Sequence, residues 1–128
     1  FLKRNKIINI IGLCSEKEIK WHENLRANFN CERIFLPDSR NGKLPCKKDF
    51  FKAFEKLRDA VNQNITFVHC FASIERSPLL CIMYIMNSYN LSIEDALDYV
   101  RRTHKYTNPT NSQLRFVKEI MISIKTDI

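Results

Sequence analysis

Apolar residues follow two spacings, and the two alternate along the whole chain. Short apolar runs rich in β-branched residues predict buried strands at 7–13, 32–36 and 65–69. Segments with apolar residues every three or four positions predict helices between and after these strands. Strands that alternate with helices predict an α/β domain in which a mainly parallel central sheet is flanked by helices. The ligand site of such a domain is expected beyond the carboxyl ends of its strands.

Five helices are predicted from capping residues and buried stripes. Ser15 and Glu18 form a capping box, and Trp21 begins an apolar stripe at four-residue spacing. The stretch 37–45 is rich in turn-forming residues and is expected to be an exposed loop. The remaining helices are one with the stripe Phe50, Phe54, Leu57 and Val61, an apolar one over 77–89, one capped by Ser92 and one capped by Asn111.

Composition indicates a single globular domain over residues 1–128. The 128 residues and 15.2 kDa match one domain, and 45% hydrophobic with 27% charged residues is close to the globular average. Only 2 Gly and 4 Pro exclude collagen-like and linker sequences. The longest apolar run, 79–86, is far short of the roughly 20 residues that cross a bilayer, so no membrane association is expected. A signal peptide or lipid-attachment site near 7–14 is the alternative, and Asn9 interrupts that run.

The net charge and the cysteine content indicate the class of binding partner and the cellular compartment. The formal net charge of +7 favours an anionic partner, which includes phosphorylated protein, nucleic acid, inositol phosphate and acidic lipid surfaces. Five cysteines with no Cys-x-x-Cys pair argue against a disulfide framework and against a structural zinc site. We therefore expect a reducing compartment, the cytoplasm or, in a eukaryote, the nucleus.

The segment HCFASIERSP, which follows the third predicted strand, carries the candidate chemistry. Five residues separate Cys70 from Arg76 between a strand and a helix that begins near Ser77. A loop of that length can direct its backbone N–H groups to the amino end of the helix, where the helix dipole favours a dianion. The guanidinium of Arg76 can hold two phosphate oxygens, and the same field lowers a cysteine pKa from about 8.5 to roughly 3.5–7.5, giving a nucleophilic thiolate.

These residues resemble the signature His-Cys-x5-Arg-Ser/Thr of the protein tyrosine phosphatase superfamily, and most closely that of its dual-specificity branch. The segment Pro37-Asp38-Ser39 resembles the part of those domains that holds the general acid, 32 positions before Cys70. The stretch 91–117 is similar to their closing helices. An ordinary domain of this family has further residues before its first matched strand, and this sequence does not contain them.

The resemblance implies a mechanism through a phosphocysteine without metal or organic cofactor. Cys70 attacks phosphorus, and Asp38 protonates the leaving oxygen and later activates water. Ser77 donates a hydrogen bond to the departing sulfur, and His69 supports the thiolate. A phosphate or sulfate ion is expected in the same loop, whose implied phosphate-binding residues are Phe71, Ala72, Ser73, Ile74, Glu75 and Arg76.

Two loop residues depart from the common pattern. Ser73 stands where most members have Gly, and Glu75 stands where most have a small neutral residue. The rhodanese-like cell-cycle phosphatases have Ser-x-Glu-Arg at the same place, so we expect Glu75 to point away from the bound anion. These departures put the catalytic rate in doubt more than the class of protein.

The expected substrate is a phosphoprotein. A chain of 128 residues has no room for the long phosphotyrosine-selecting loop of larger relatives, so a shallow pocket for phosphotyrosine and phosphoserine or phosphothreonine is expected. An RNA 5′-phosphate and an inositol phosphate are alternatives. The loop lacks the lysines of inositide-selective relatives, and nucleic acid is the less favoured partner. An inactive phosphate-binding module and a rhodanese-like domain, the latter supported only by Ser73 and Glu75, are the remaining alternatives.

Overall fold

The computed structural model describes residues 6–14, 21, 23–36, 44–70 and 76–126. Strands and helices alternate in these ranges up to the third strand, after which only helices follow. The elements are β1 (Asn9–Gly12), α1 (Glu23–Asn28), β2 (Asn30–Arg33), α2 (Lys47–Gln63), β3 (Thr66–His69), α3 (Arg76–Tyr89), α4 (Ile93–Thr103) and α5 (Asn111–Thr126).

The three strands form a parallel sheet in the order β2-β1-β3. The register pairs Gly12 of β1 with Arg33 on one side and with His69 on the other. The last residues of all three strands therefore lie side by side at the carboxyl edge of the sheet, where an α/β fold forms its ligand site. The predicted fold class, α/β with a parallel sheet flanked by helices, is confirmed.

The main core surrounds α3. Leu80, Ile82 and Met83 of this helix are fully buried, and the helix packs against α2, α4 and α5. On β1, Ile11 belongs to this core, whereas Ile10 belongs to a smaller cluster with Ile7 and Trp21. Neighbouring residues of a strand face opposite sides of the sheet, so the two clusters cover its two faces.

Four details differ from the sequence prediction. Trp21, predicted to begin the buried stripe of the first helix, precedes α1, which covers Glu23–Asn28. The second strand covers Asn30–Arg33 rather than 32–36, because its pairing with β1 ends at Gly12. Val61, predicted in the buried stripe of α2, is 37% exposed. Thr110, not Asn111, caps α5: its hydroxyl accepts from the Gln113 N–H at 3.1 Å, and its own N–H donates to the Gln113 side chain at 2.7 Å, which is a complete capping box.

The capping of α4 follows the prediction. The Ser92 hydroxyl accepts a hydrogen bond from the Asp95 N–H at 3.2 Å. The capping box predicted at Ser15 and Glu18 lies outside the described residues. Across the part of the chain that the structure describes, no helix is long and apolar enough to cross a membrane.

Replacing one buried isoleucine of α3 tests whether this helix forms the centre of the hydrophobic core. Ile82→Ala should lower the free energy of unfolding by about 2–5 kcal/mol, because it leaves a cavity that the surrounding helices cannot fill. Ile122→Ala on α5 is the matched control, since its side chain is 62% exposed, and should change stability by about 0.5 kcal/mol or less. Urea unfolding measures both. Equal losses for the two variants would contradict this description of the core.

Candidate active site

The junction between β3 and α3 brings the two central candidate residues to buried positions. Cys70 directly follows β3 and is 4% exposed, and Arg76 begins α3 and is 6% exposed. The Sγ atom of Cys70 lies 3.5 Å from the Oγ atom of Ser77, within hydrogen-bond range for sulfur. A hydroxyl at this distance can stabilise a negative charge on the sulfur.

Arg76 links this junction to the chain that enters the predicted acid segment. Its Nη1 atom donates a hydrogen bond to the carbonyl oxygen of Leu36 at 3.1 Å. Leu36 is the residue before Pro37-Asp38-Ser39, so the guanidinium is tied to the start of that segment. Asp38 itself lies outside the described residues, as do the predicted loop residues Phe71, Ala72, Ser73, Ile74 and Glu75.

His69 is buried beside Cys70 and both of its ring nitrogens have partners. The indole Nε1 of Trp21 donates to His69 Nε2 at 2.9 Å, and His69 Nδ1 lies 3.2 Å from the carbonyl oxygen of Cys70. A carbonyl oxygen only accepts, so the ring proton is on Nδ1 and Nε2 is the acceptor. Burial lowers the pKa of His69, and the positive charge of Arg33 lowers it further, against the opposing effect of the Cys70 carbonyl.

The sequence did not predict the contact of Trp21 with His69, nor the two residues beside the indole, Arg33 and Gly12. The Arg33 guanidinium carbon lies 4.0 Å from the centre of the Trp21 ring, and Arg33 Nη1 donates to the carbonyl of Cys14 at 2.8 Å. A Cβ atom on Gly12 would lie 2.6 Å from the indole Cζ2 and 3.1 Å from His69 Nε2, so only glycine admits the ring here. The sequence did contain one signal for this close approach, because Gly12 is one of only two glycines in the chain and lies at the end of a predicted strand.

The cysteines and acidic residues in the described ranges form no candidate metal site. No group of three or more His, Cys, Asp or Glu residues that could hold an ion occurs there. All five cysteines are free thiols. Desolvation raises the pKa of Cys81 to about 12, with a further contribution from nearby Cys70, so Cys81 remains a neutral thiol behind the site.

The family profile described as dual specificity phosphatase, catalytic domain, matches residues 1–122. The chain belongs to the dual specificity phosphatase family. The resemblance found in the sequence is thereby confirmed at the level of the family.

Two curated relatives illustrate the extent of the similarity. The dual specificity phosphatase domain is 28% identical over 97% of its length to a protein of Dictyostelium discoideum named probable dual specificity protein phosphatase. It is 30% identical over 84% of its length to mouse dual specificity protein phosphatase 15. The chain spans 30% of the length of the first relative and 43% of the second.

Solved structures share the fold. The crystal structure of DUSP15 superposes with a TM-score of 0.74 at 28% identity, covering 92% of this phosphatase-family chain and 72% of that one. A human tyrosine phosphatase-like serine/threonine/tyrosine-interacting protein superposes with a TM-score of 0.83 at 22% identity, covering 96% and 82% of the two chains. The second likeness, at this identity, is one of fold.

The buried neutral His69 predicts a pH dependence of stability. Its folded pKa lies below its ordinary value of 6.5, so the unfolded chain binds more protons at this residue. The stability that it contributes is complete above pH 6.5 and is lost as the pH falls through the folded pKa. We expect wild-type protein to lose more stability between pH 7.5 and pH 5 than His69→Gln does, as measured by urea unfolding.

His104→Gln is the control for this measurement. His104 is an exposed histidine beyond the end of α4, so its replacement should retain the wild-type loss of stability. A His69→Gln protein with the same pH slope as the wild type would show that His69 is not held neutral by the fold.

Proposed function

We propose that this domain hydrolyses phosphomonoesters of phosphoproteins through a phosphocysteine formed on Cys70. The observation that carries the proposal is the junction of β3 and α3, where Cys70 Sγ lies 3.5 Å from Ser77 Oγ and Arg76 begins the helix. Membership of the dual specificity phosphatase family supports the same reaction class. The charge of Arg76 and the amino end of a 14-residue helix both favour a bound dianion at this place.

The first step transfers the phosphoryl group to the protein. The Cys70 thiolate attacks phosphorus, an S–P bond forms, and the P–O bond to the substrate breaks. Asp38 gives its proton to the leaving oxygen, so the product departs as a neutral alcohol or phenol. Arg76 and the backbone N–H groups of residues 71–75 hold the equatorial oxygens as charge develops on them.

The second step regenerates the enzyme. Asp38, now a carboxylate, takes a proton from water as that water attacks phosphorus, and the P–S bond breaks. The electron pair of that bond returns to Cys70 sulfur, where the Ser77 hydroxyl at 3.5 Å stabilises it. Cys81 stays a neutral thiol because its pKa is raised to about 12, and therefore adds no competing thiolate.

Phosphoproteins are the preferred substrate class, with both phosphotyrosine and phosphoserine or phosphothreonine accepted. The support is the naming of the relatives as dual specificity protein phosphatases and the formal net charge of +7, which attracts anionic peptides. Free thiols at all five cysteines fit a reducing compartment such as the cytoplasm or nucleus. The alternatives, an inactive phosphate-binding module and a phosphatase for RNA 5′-phosphate or inositol phosphate, are separated from this proposal by turnover measurements on each substrate.

Replacing the nucleophile tests the covalent mechanism. Cys70→Ser should abolish hydrolysis of p-nitrophenyl phosphate and of phosphopeptides while vanadate still binds, because Arg76 and the helix end are unchanged. Cys46→Ser is the control, since Cys46 is an exposed free thiol before α2, and should retain wild-type activity. Steady-state kinetics and competition by vanadate measure the two effects. Hydrolysis by Cys70→Ser at the wild-type rate would exclude a phosphocysteine.

The role of Asp38 is tested by the dependence on leaving group. Asp38→Asn should lower kcat by about 10²–10⁴ for alkyl phosphates, whose leaving oxygen needs a proton, and much less for p-nitrophenyl phosphate. Asp49→Asn, at an exposed position in the first turn of α2, is the matched control and should leave both substrates unaffected. Equal losses for poor and good leaving groups would assign Asp38 a structural role only.

A further inference from the structure

A line of polar contacts crosses the carboxyl edge of the sheet and ends at Cys70. Arg33, the last residue of β2, stacks on Trp21, and Trp21 donates to His69, the last residue of β3. His69 in turn contacts the carbonyl of Cys70 at 3.2 Å. Gly12, the last residue of β1, lies between them and leaves the space that the indole ring occupies.

Only one arrangement of protons satisfies every contact in this line. The indole N–H can only donate, so His69 Nε2 must be an unprotonated acceptor. The Cys70 carbonyl can only accept, so His69 Nδ1 must carry the proton. In the other neutral tautomer, the Nε2 proton would face the indole N–H, and the bare Nδ1 would face the Cys70 carbonyl oxygen. In the imidazolium form, the Nε2 proton would again face the indole N–H.

We infer that Trp21 is a positioning residue for Cys70: its indole N–H holds His69 in the Nδ1-protonated neutral form, which fixes the peptide carbonyl of Cys70. This inference rests on the proposed function for its effect on turnover. That peptide joins Cys70 to the predicted phosphate-binding residues, so holding its carbonyl fixes the backbone that carries the Cys70 thiol.

The surroundings of the imidazole support the same form. Within the described residues, the groups that act on the charge of His69 are the Arg33 guanidinium and the Cys70 carbonyl, and the uncharged rings of Trp21 and Phe67 lie beside the imidazole. A guanidinium disfavours a second positive charge on the imidazole, and burial disfavours any charge there. Arg33 is held over the indole face and by the Cys14 carbonyl at 2.8 Å, so it also keeps the indole in place.

The decisive experiment removes the indole N–H while the ring remains. Benzothienylalanine in place of Trp21 has sulfur where the indole has N–H, and Trp21→Phe is the genetically simple counterpart. Long-range ¹H–¹⁵N NMR of the His69 ring measures both its tautomer and its pKa in each protein. In the wild type we expect the Nδ1-protonated tautomer alone. In both variants we expect a mixture of tautomers and a His69 pKa higher by about one unit, the effect of losing one hydrogen bond to the neutral form.

Turnover and a control variant complete the test. Loss of the indole N–H should lower kcat by about tenfold and change KM by less than about threefold, because the contact orients the reacting group rather than the bound substrate. Phe67→Leu removes a ring whose centre lies 6.0 Å from that of His69. It alters neither the Trp21–His69 nor the His69–Cys70 hydrogen bond, so it should leave the tautomer unchanged. An unchanged tautomer and pKa in both Trp21 variants would overturn the inference.

The wild-type protein supplies a second readout that needs no variant. Trp21 is the single tryptophan of the chain, so the intrinsic tryptophan fluorescence reports on the surroundings of this one ring. Its emission should change as His69 takes up a proton, with a midpoint below pH 6.5. A midpoint at or above pH 6.5 would overturn the inference. Absence of phosphatase activity in the wild type would instead refute the proposed function, and the tautomer measurement would still decide the role of Trp21.

Discussion

The burial of α3 is the constraint on which the site depends. This helix is surrounded by α2, α4 and α5, and its first residues, Arg76 and Ser77, are as buried as its apolar ones. A charged guanidinium without solvent is unfavourable unless its N–H groups find acceptors. The Leu36 carbonyl is one such acceptor. Leu36 lies in the segment that follows β2, and its own N–H donates to the carbonyl of Leu13, just after β1. Hydrophobic packing of one helix thus brings the cation, the hydroxyl and the Cys70 thiol to one junction.

The sheet imposes the second half of the arrangement. The parallel register places Gly12, Arg33 and His69 side by side. Gly12 leaves space for the indole, Arg33 supplies a positive charge, and His69 supplies a ring that forms hydrogen bonds. Buried polar groups are costly unless they are paired, and the His69 ring nitrogens are paired with Trp21 and with the Cys70 backbone. His69, next to Cys70, is therefore held by a hydrogen bond at each ring nitrogen as well as by packing.

The sequence predicted those features that depend on local pattern. Apolar spacing located the strands and helices, and Ser92 was identified as a cap because a helix start has a short-range signature. Thr110 was missed because Asn111 is an equally good capping residue and only the bond to Gln113 decides between them. Trp21 was assigned to a helical stripe, since no local pattern reveals an indole that reaches His69, 48 positions away. Strand register, which creates that contact, is a property of the folded sheet.

The glycine at the end of β1 also limits how this sequence can change. Because a Cβ atom at position 12 would lie 2.6 Å from the indole of Trp21, any larger residue at position 12 requires a smaller ring or a displaced chain at position 21. The two positions are separated by eight others in sequence, yet each restricts what the other can become. A larger residue at position 12 is therefore unfavourable while the indole is present, so at this edge of the sheet a smaller ring at position 21 has to precede a larger residue at position 12.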